Sequence, residues 1–215
     1  MDNEVQERDQ IQLKVEGLSC HRGDRLLFKN ISLTLNSGDI FEVTGQNGAG
    51  KTTLLRLLCG LLIPEKGNIL WCNQPINKVK PTYHSTLTYV GHTDAIKAEL
   101  TVLENLTIAK ALNGGGIEIK EALDQVGLLK LRSLPGRFLS AGQRRRLALA
   151  RLLVNRAKLW LLDEPFTALD KEAVKTIASL LETHGKNGGM VIFTSHHSVN
   201  VAGARALNIS SAISS

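Results

Sequence analysis

The sequence predicts an α/β domain with a mostly parallel core sheet, an antiparallel β region and a helical insertion. Three observations carry that expectation. Ile40-Phe41-Glu42-Val43-Thr44 passes through a glycine-rich loop into Thr53-Leu54-Leu55-Arg56-Leu57-Leu58, which is the order strand, loop, buried helix. Leu159-Trp160-Leu161-Leu162 and Met190-Val191-Ile192-Phe193-Thr194-Ser195 are continuous apolar runs that lead into titratable side chains, as fully buried parallel strands do where their carboxyl ends open on a ligand. At 215 residues the chain fits a single domain large enough for a substantial core.

Residues 11–35 alternate in polarity around a turn at Arg22-Gly23-Asp24 and read as antiparallel strands. The loop that follows, Gly45-Gln46-Asn47-Gly48-Ala49-Gly50-Lys51-Thr52, fits the pattern GxxxxGK[ST]. Glycine suits Gly45, Gly48 and Gly50 because the backbone must fold tightly and aim N–H groups at phosphate oxygens. The helix starting near Gly50 adds the positive end of its dipole. Lys51 supplies a point charge for the β and γ phosphates, Thr52 a hydroxyl for Mg²⁺, and Thr53 extends the same cradle, so ATP and Mg²⁺ are the expected ligands. The core sheet is expected to collect strands ending at Gly45, His92, Asp163 and His196. Residues 100–155 read as a helical insertion with Gly114-Gly115-Gly116 as a loop between helices, and the short stretch after Asn200, with its Ile-Ser tail, is expected to leave no room for a regulatory domain.

Asp163 and Glu164 close the third strand. Asp163 suits the surroundings of a hard cation, and Glu164, one step further out, suits polarising an attacking water. The competing reading is a pair of acids capping the next helix. His196, at the tip of the fourth strand, can hydrogen-bond a γ-phosphate and fix water against Glu164. His197 competes for that role, and counting from the strand favours His196.

The formal charge of +6 raises nucleic acid as a partner, with Arg144-Arg145-Arg146, Arg151 and Arg156 as the densest cluster. Residues 143–153 have helical periodicity, apolar on one face and basic on others, and aromatic residues make up only 4%, too few to stack bases. Direct nucleic-acid binding is therefore not expected. An anionic lipid leaflet would also favour a basic surface. The longest apolar run, residues 54–63, is broken by Arg56 and Gly60 and falls short of a membrane span. Residues 1–8 are polar and acidic, unlike a secretory signal. Cys20, Cys59 and Cys72 are scattered without CxxC spacing, which suits a reducing compartment and argues against zinc or disulfides.

A second motif, Leu139-Ser140-Ala141-Gly142-Gln143, resembles the LSGGQ signature of ATP-binding cassette (ABC) ATPases, and together with the phosphate loop it marks the chain as similar to the nucleotide-binding subunits of ABC transporters. That resemblance covers nearly the whole chain. It implies a homodimer in which each signature contacts the triphosphate held by the other copy, bound to separate transmembrane subunits and peripheral to the cytoplasmic face of a bacterial inner membrane. It also implies a core subdomain of about residues 11–99 and 156–210, a signature subdomain of about 100–155, a D-loop at Asp170, and a membrane-subunit contact at residues 93–99. Gly67-Asn68-Ile69-Leu70-Trp71, Tyr89-Val90-Gly91-His92 and residues 96–106 resemble, more narrowly, the haem-exporter ATPases of cytochrome c maturation. The resemblance implies haem export or release of a haem-loaded chaperone; the alternatives are another ABC exporter or importer, or a soluble ABC ATPase acting on nucleic acid or ribosomes.

Three positions depart from the common pattern. His92 stands where most relatives carry the Q-loop glutamine; neutral imidazole is a poor Mg²⁺ ligand, which leaves a water-mediated γ-phosphate contact or simple packing. Cys20-His21-Arg22-Gly23 stands where an aromatic ring usually stacks on adenine, so that His21 or Arg22 becomes the expected base contact, with weak discrimination among nucleoside triphosphates. Ala141 replaces a glycine, adding one methyl. Trp71, Tyr83 and His84 read as an exposed turn near a strand edge, which accounts for them as well as a haem contact would.

Overall fold

The computed structural model describes residues 11–196 and 199–210; His197, the competitor of His196, lies outside them. In chain order the elements are β1 (Gln12–Arg22), β2 (Arg25–Asn36), β3 (Ile40–Thr44), α1 (Lys51–Leu58), β4 (Lys66–Trp71), β5 (Gln74–Pro75), α2 (Lys80–Thr86), β6 (Leu87–Val90), α3 (Val102–Asn113), α4 (Ile119–Gln125), α5 (Ala141–Leu153), β7 (Leu159–Leu162), α6 (Lys171–Lys186), β8 (Met190–Thr194) and β9 (Ala204–Asn208). Two sheets result. One is antiparallel in the order β2-β1-β4-β5, and the other runs β6-β7-β8-β3-β9 with every pair parallel.

The central strands β7 and β8 are apolar up to their carboxyl ends because each side of the sheet has its own core. Leu159 and Leu161 of β7, with Met190 and Ile192 of β8, face the cluster shared with α1 and the antiparallel sheet. Trp160, Leu162, Val191 and Phe193 face the opposite cluster, packed by α5 and α6. This is the period-2 geometry of a strand with apolar demand on both faces. A third cluster ties α3, α4 and the far side of α5 together. Helix α5 therefore lies between two cores, with Leu147 and Ala150 in one and Ala148, Leu149 and Leu152 in the other.

Two elements differ from the sequence expectation. Strand β9 joins the four strands expected in the core sheet as a fifth and adds a parallel edge to β3. Its residues Ala-Arg-Ala-Leu-Asn lie on a half-exposed edge, so no apolar run announces it. Helix α2 replaces the expected exposed turn: Tyr83 is fully buried, its hydroxyl donates to Leu58 O at 2.6 Å, and its ring packs 5.4 Å from that of buried Trp71. His84 is exposed, with Nε2 lying 3.2 Å from Cys59 O. The helix has seven residues and buries only Tyr83, too little for a helical period to show.

Candidate nucleotide site

Strand β3 delivers the chain into the glycine loop, and α1 leaves it directly at Lys51. Gly50 has φ 97°, and a Cβ there would lie 3.0 Å from Leu27 Cβ and 3.1 Å from the Phe28 ring, so only glycine fits between the loop and the antiparallel sheet. Lys51 is buried inside the loop, with Nζ donating to Gly45 O at 2.8 Å. The loop is braced from the end of the core sheet, where Gln46 N donates to Ser210 Oγ at 3.1 Å. A cleft of about 490 Å³ opens here, bounded by Asn47, Gly48, Gly50, Lys51, Thr52 and Thr53 on the loop side. Asp163, Glu164, Thr167 and His196 bound it on the sheet side, with Arg22, Leu27 and His92 also contributing.

A chain of hydrogen bonds crosses the floor. Thr52 Oγ1 donates to Asp163 Oδ1 at 3.1 Å, and Thr194 Oγ1 donates to the same oxygen at 3.0 Å. Thr194 Oγ1 in turn accepts from Glu164 N at 2.9 Å. Asp163 is buried, and its Oδ2 has no hydrogen-bond partner among the described residues. Glu164 holds φ 55°, a left-handed conformation of the kind that clusters at functional sites. Its Oε2 accepts from His196 N at 3.1 Å, while His196 Nε2 sits 3.2 Å from Oε1. The acidic pair is felt by its neighbours. Burial and then the Glu164 charge raise the Glu42 carboxyl, and burial with the Asp163 charge pushes the Cys59 thiol up to about 12.

The two alternatives for the base contact, His21 and Arg22, are placed differently by the structure. His21 is not part of the cleft lining; its Nδ1 pairs with Glu65 Oε2 at 2.8 Å and its N–H donates to Glu65 Oε1 at 2.8 Å. That pairing lowers the Glu65 carboxyl, through the backbone hydrogen bond first. Arg22 does line the cleft. Arg145, from the basic cluster of residues 144–146, is only 4% exposed. Its guanidinium donates through Nη2 to Asp163 O at 2.6 Å and Glu164 O at 2.8 Å, and through Nη1 to Gly91 O at 2.9 Å and Asp94 Oδ1 at 3.1 Å. The reason is that the carbonyls after β6 and β7 lie outside the sheet ladder: Glu164 O has Thr167 N at 3.2 Å as a second donor, and the guanidinium serves the group as a whole. Thr194, Thr167 and Leu27 were also missed; for Thr194 the available signal was a hydroxyl at the carboxyl end of an apolar run.

The signature motif stands apart from this cleft. Ser140 is exposed and is the N-cap of α5: its Oγ accepts from Gln143 N at 3.2 Å while Gln143 Oε1 accepts from Ser140 N at 2.8 Å, a reciprocal capping box. Leu139 is buried beneath, Ala141 is exposed, and Gly142 packs so closely that an added Cβ would lie 2.7 Å from Ala168 O. Asp170 caps α6, its Oδ1 accepting from Ala173 N at 2.8 Å. Among the described residues, none of 139–143 lines the cleft.

A phosphate-type glycine loop heading a helix, opposite buried acids at the tip of a parallel strand, defines a P-loop nucleotide hydrolase. The ABC transporter family model matches residues 28–167. Cytochrome c biogenesis ATP-binding export protein CcmA of Nitrosococcus oceani is 66% identical, with 97% of this chain and 98% of that protein aligned. The protein of the same name in Methylococcus capsulatus is 48% identical over 92% of this chain and 98% of its own length. A solved structure, a putative ABC transporter ATP-binding protein from Pyrococcus furiosus, superposes with TM-score 0.82 at 27% identity, covering 94% of this chain and 98% of that one. The chain belongs to the ABC transporter family and, within it, to the cytochrome c biogenesis ATP-binding export proteins. Among the described residues no helix is long and apolar enough to cross a membrane.

Proposed function

We propose that the chain works as a homodimer of ATP-hydrolysing subunits that drives an export complex of cytochrome c biogenesis, with each triphosphate held between the glycine loop of one copy and the Ser140 tip of the other. The observation that carries this reading is the separation just described. One chain holds the loop and both acids in its cleft, yet presents Ser140 and the start of α5 outward at a different place.

The triphosphate lies along loop residues 45–52 and the first turn of α1, where N–H groups and the helix dipole favour anions. Lys51 exchanges its contact with Gly45 O for phosphate oxygens. Asp163 Oδ2, without a partner among the described residues, and the Thr52 hydroxyl fit Mg²⁺, a cation that takes few protein ligands beside substrate phosphate and would neutralise charge on the β and γ oxygens. Glu164 orients the attacking water, and His196, already against the Glu164 carboxylate, holds water and γ-phosphate in line. Asp170 sits at the copy-to-copy contact, and Arg22 and His92 border the nucleotide from the cleft rim. Closure of the dimer on two nucleotides would then move separate transmembrane subunits meeting residues 93–99 at the cytoplasmic face of the inner membrane. The work done is haem export or release of a haem-loaded chaperone.

Mixing two inactive variants tests the shared site. Ser140→Arg and Lys51→Ala each abolish hydrolysis alone in the assembled complex. Mixed, they restore it, because one composite site per mixed dimer keeps both halves. A mixture as inactive as its components overturns the shared site. A Glu164→Gln complex then separates the two jobs: failure to deliver haem indicates export, and loaded chaperone trapped on the membrane indicates release.

A further inference from the structure

The geometry points to Arg145 as a positioning residue for hydrolysis, one that sets Glu164 by holding the backbone on which it is mounted. This rests on the reading of Glu164 as the water-orienting group. Arg145 projects from α5 into a junction of two loops, residues 163–165 after β7 and residues 91–94 after β6, and its side chain is 4% exposed. Every polar atom of the guanidinium is engaged: Nη2 on Asp163 O and Glu164 O, Nε on Pro165 O at 3.4 Å, and Nη1 on Gly91 O and Asp94 Oδ1.

The consequence falls on one residue. Glu164 is held in a left-handed conformation, φ 55°, which its own side chain does not favour. Three contacts fix its backbone: Thr194 Oγ1 accepts the N–H, and the carbonyl accepts from Arg145 Nη2 at 2.8 Å and from Thr167 N at 3.2 Å. The direction in which the Glu164 carboxylate leaves the strand end is therefore set jointly by the hydroxyl, the guanidinium and the backbone turn that ends at Thr167. The same fork holds Gly91, the residue before His92, so that the His92 rim and the Glu164 floor are tied to one planar group. Lysine cannot reproduce this, because a point ammonium lacks the rigid fork that spans five acceptors on two loops. Asp94, partly buried beside it, locks the guanidinium plane.

The test compares Arg145→Lys, Asp94→Asn and their double variant in the assembled complex, with Glu164→Gln as control. Hydrolysis is measured at saturating ATP, and affinity is measured with a fluorescent ATP analogue. Arg145→Lys is expected to lower kcat about tenfold or more, as a displaced catalytic group does, with nucleotide Kd changed less than about threefold. Asp94→Asn is expected to lower kcat about two- to fivefold, and the double variant to be no slower than Arg145→Lys, since both act through one group. An unchanged kcat in Arg145→Lys, effects that multiply in the double variant, or a loss confined to Kd overturns the proposal. Where Arg145→Lys does not fold, an unchanged kcat in Asp94→Asn overturns it alone. Full turnover in Glu164→Gln overturns the underlying reading of Glu164 itself, whereas a dead Glu164→Gln beside a normal Arg145→Lys overturns only the role of Arg145.

Discussion

Thr194→Val removes one oxygen and keeps the shape of the side chain. Thr194 is fully buried, so the substitution opens no cavity and admits no water. Two hydrogen bonds vanish, the 3.0 Å bond to Asp163 Oδ1 and the 2.9 Å bond from Glu164 N. Losing a bond to a charged carboxylate costs about 1.5–3 kcal/mol and leaving a buried N–H without an acceptor about 1–3 kcal/mol. The two losses share one oxygen and overlap, so roughly 3 kcal/mol is the expected destabilisation. For a chain of 215 residues that corresponds to a fall in Tm of roughly 6–12 °C. Turnover should fall further than stability explains, by about 10- to 100-fold, because Glu164 loses the contact that holds its backbone N–H. Thr194→Ser keeps the oxygen and should stay within about 1 kcal/mol and threefold in rate. Thermal unfolding of the isolated chain and steady-state hydrolysis by the complex measure the two effects. A valine variant equal to wild type in both, or a serine variant as damaged as the valine, refutes the reasoning.

Gly142→Ala should destabilise by about 1–3 kcal/mol despite the better helix propensity of alanine, because the new methyl would sit 2.7 Å from Ala168 O; equal or higher Tm would contradict it, and Ala141→Gly at the exposed neighbour serves as comparison. His184 lies flat on Trp160, ring centroids 3.6 Å apart, with Nε2 3.2 Å from Lys158 O. Burial, ahead of the opposing hydrogen bond to Lys158, lowers its pKa from 6.5 to about 4. A depressed histidine is neutral when folded, so its contribution is full above pH 6.5 and is lost as pH falls toward 4, at most about 3 kcal/mol in all. His184→Phe, which keeps the stack, should flatten the stability profile across that window, and an unaltered slope in urea unfolding would count against it.

The parts of the site that were legible in the sequence are those where chemistry restricts residue type at fixed spacing. Gly45 to Thr52 must be glycine-rich and end in lysine and a hydroxyl, and Asp163-Glu164 must close a strand with no polar residue before it. The parallel core was legible for the same kind of reason, since apolar demand on both faces of β7 and β8 leaves uninterrupted runs. Arg145 was not legible. Its neighbours Arg144 and Arg146 are of the same type, and four of the five atoms it satisfies are carbonyls, which carry no sequence signature and belong to loops after β6 and β7. His21 was misread because Glu65, its partner across the antiparallel sheet, lies in another segment. Strand β9 hides because an edge strand half in solvent needs little apolar content.

Ser210, immediately beyond β9, reaches across to Gln46 N at 3.1 Å. The far end of the described polypeptide therefore rests against the nucleotide cradle. A dye or affinity handle attached at Ser210 itself would sit beside that cradle: useful as a local reporter of occupancy, and a hazard for anyone who intends it as a neutral tag.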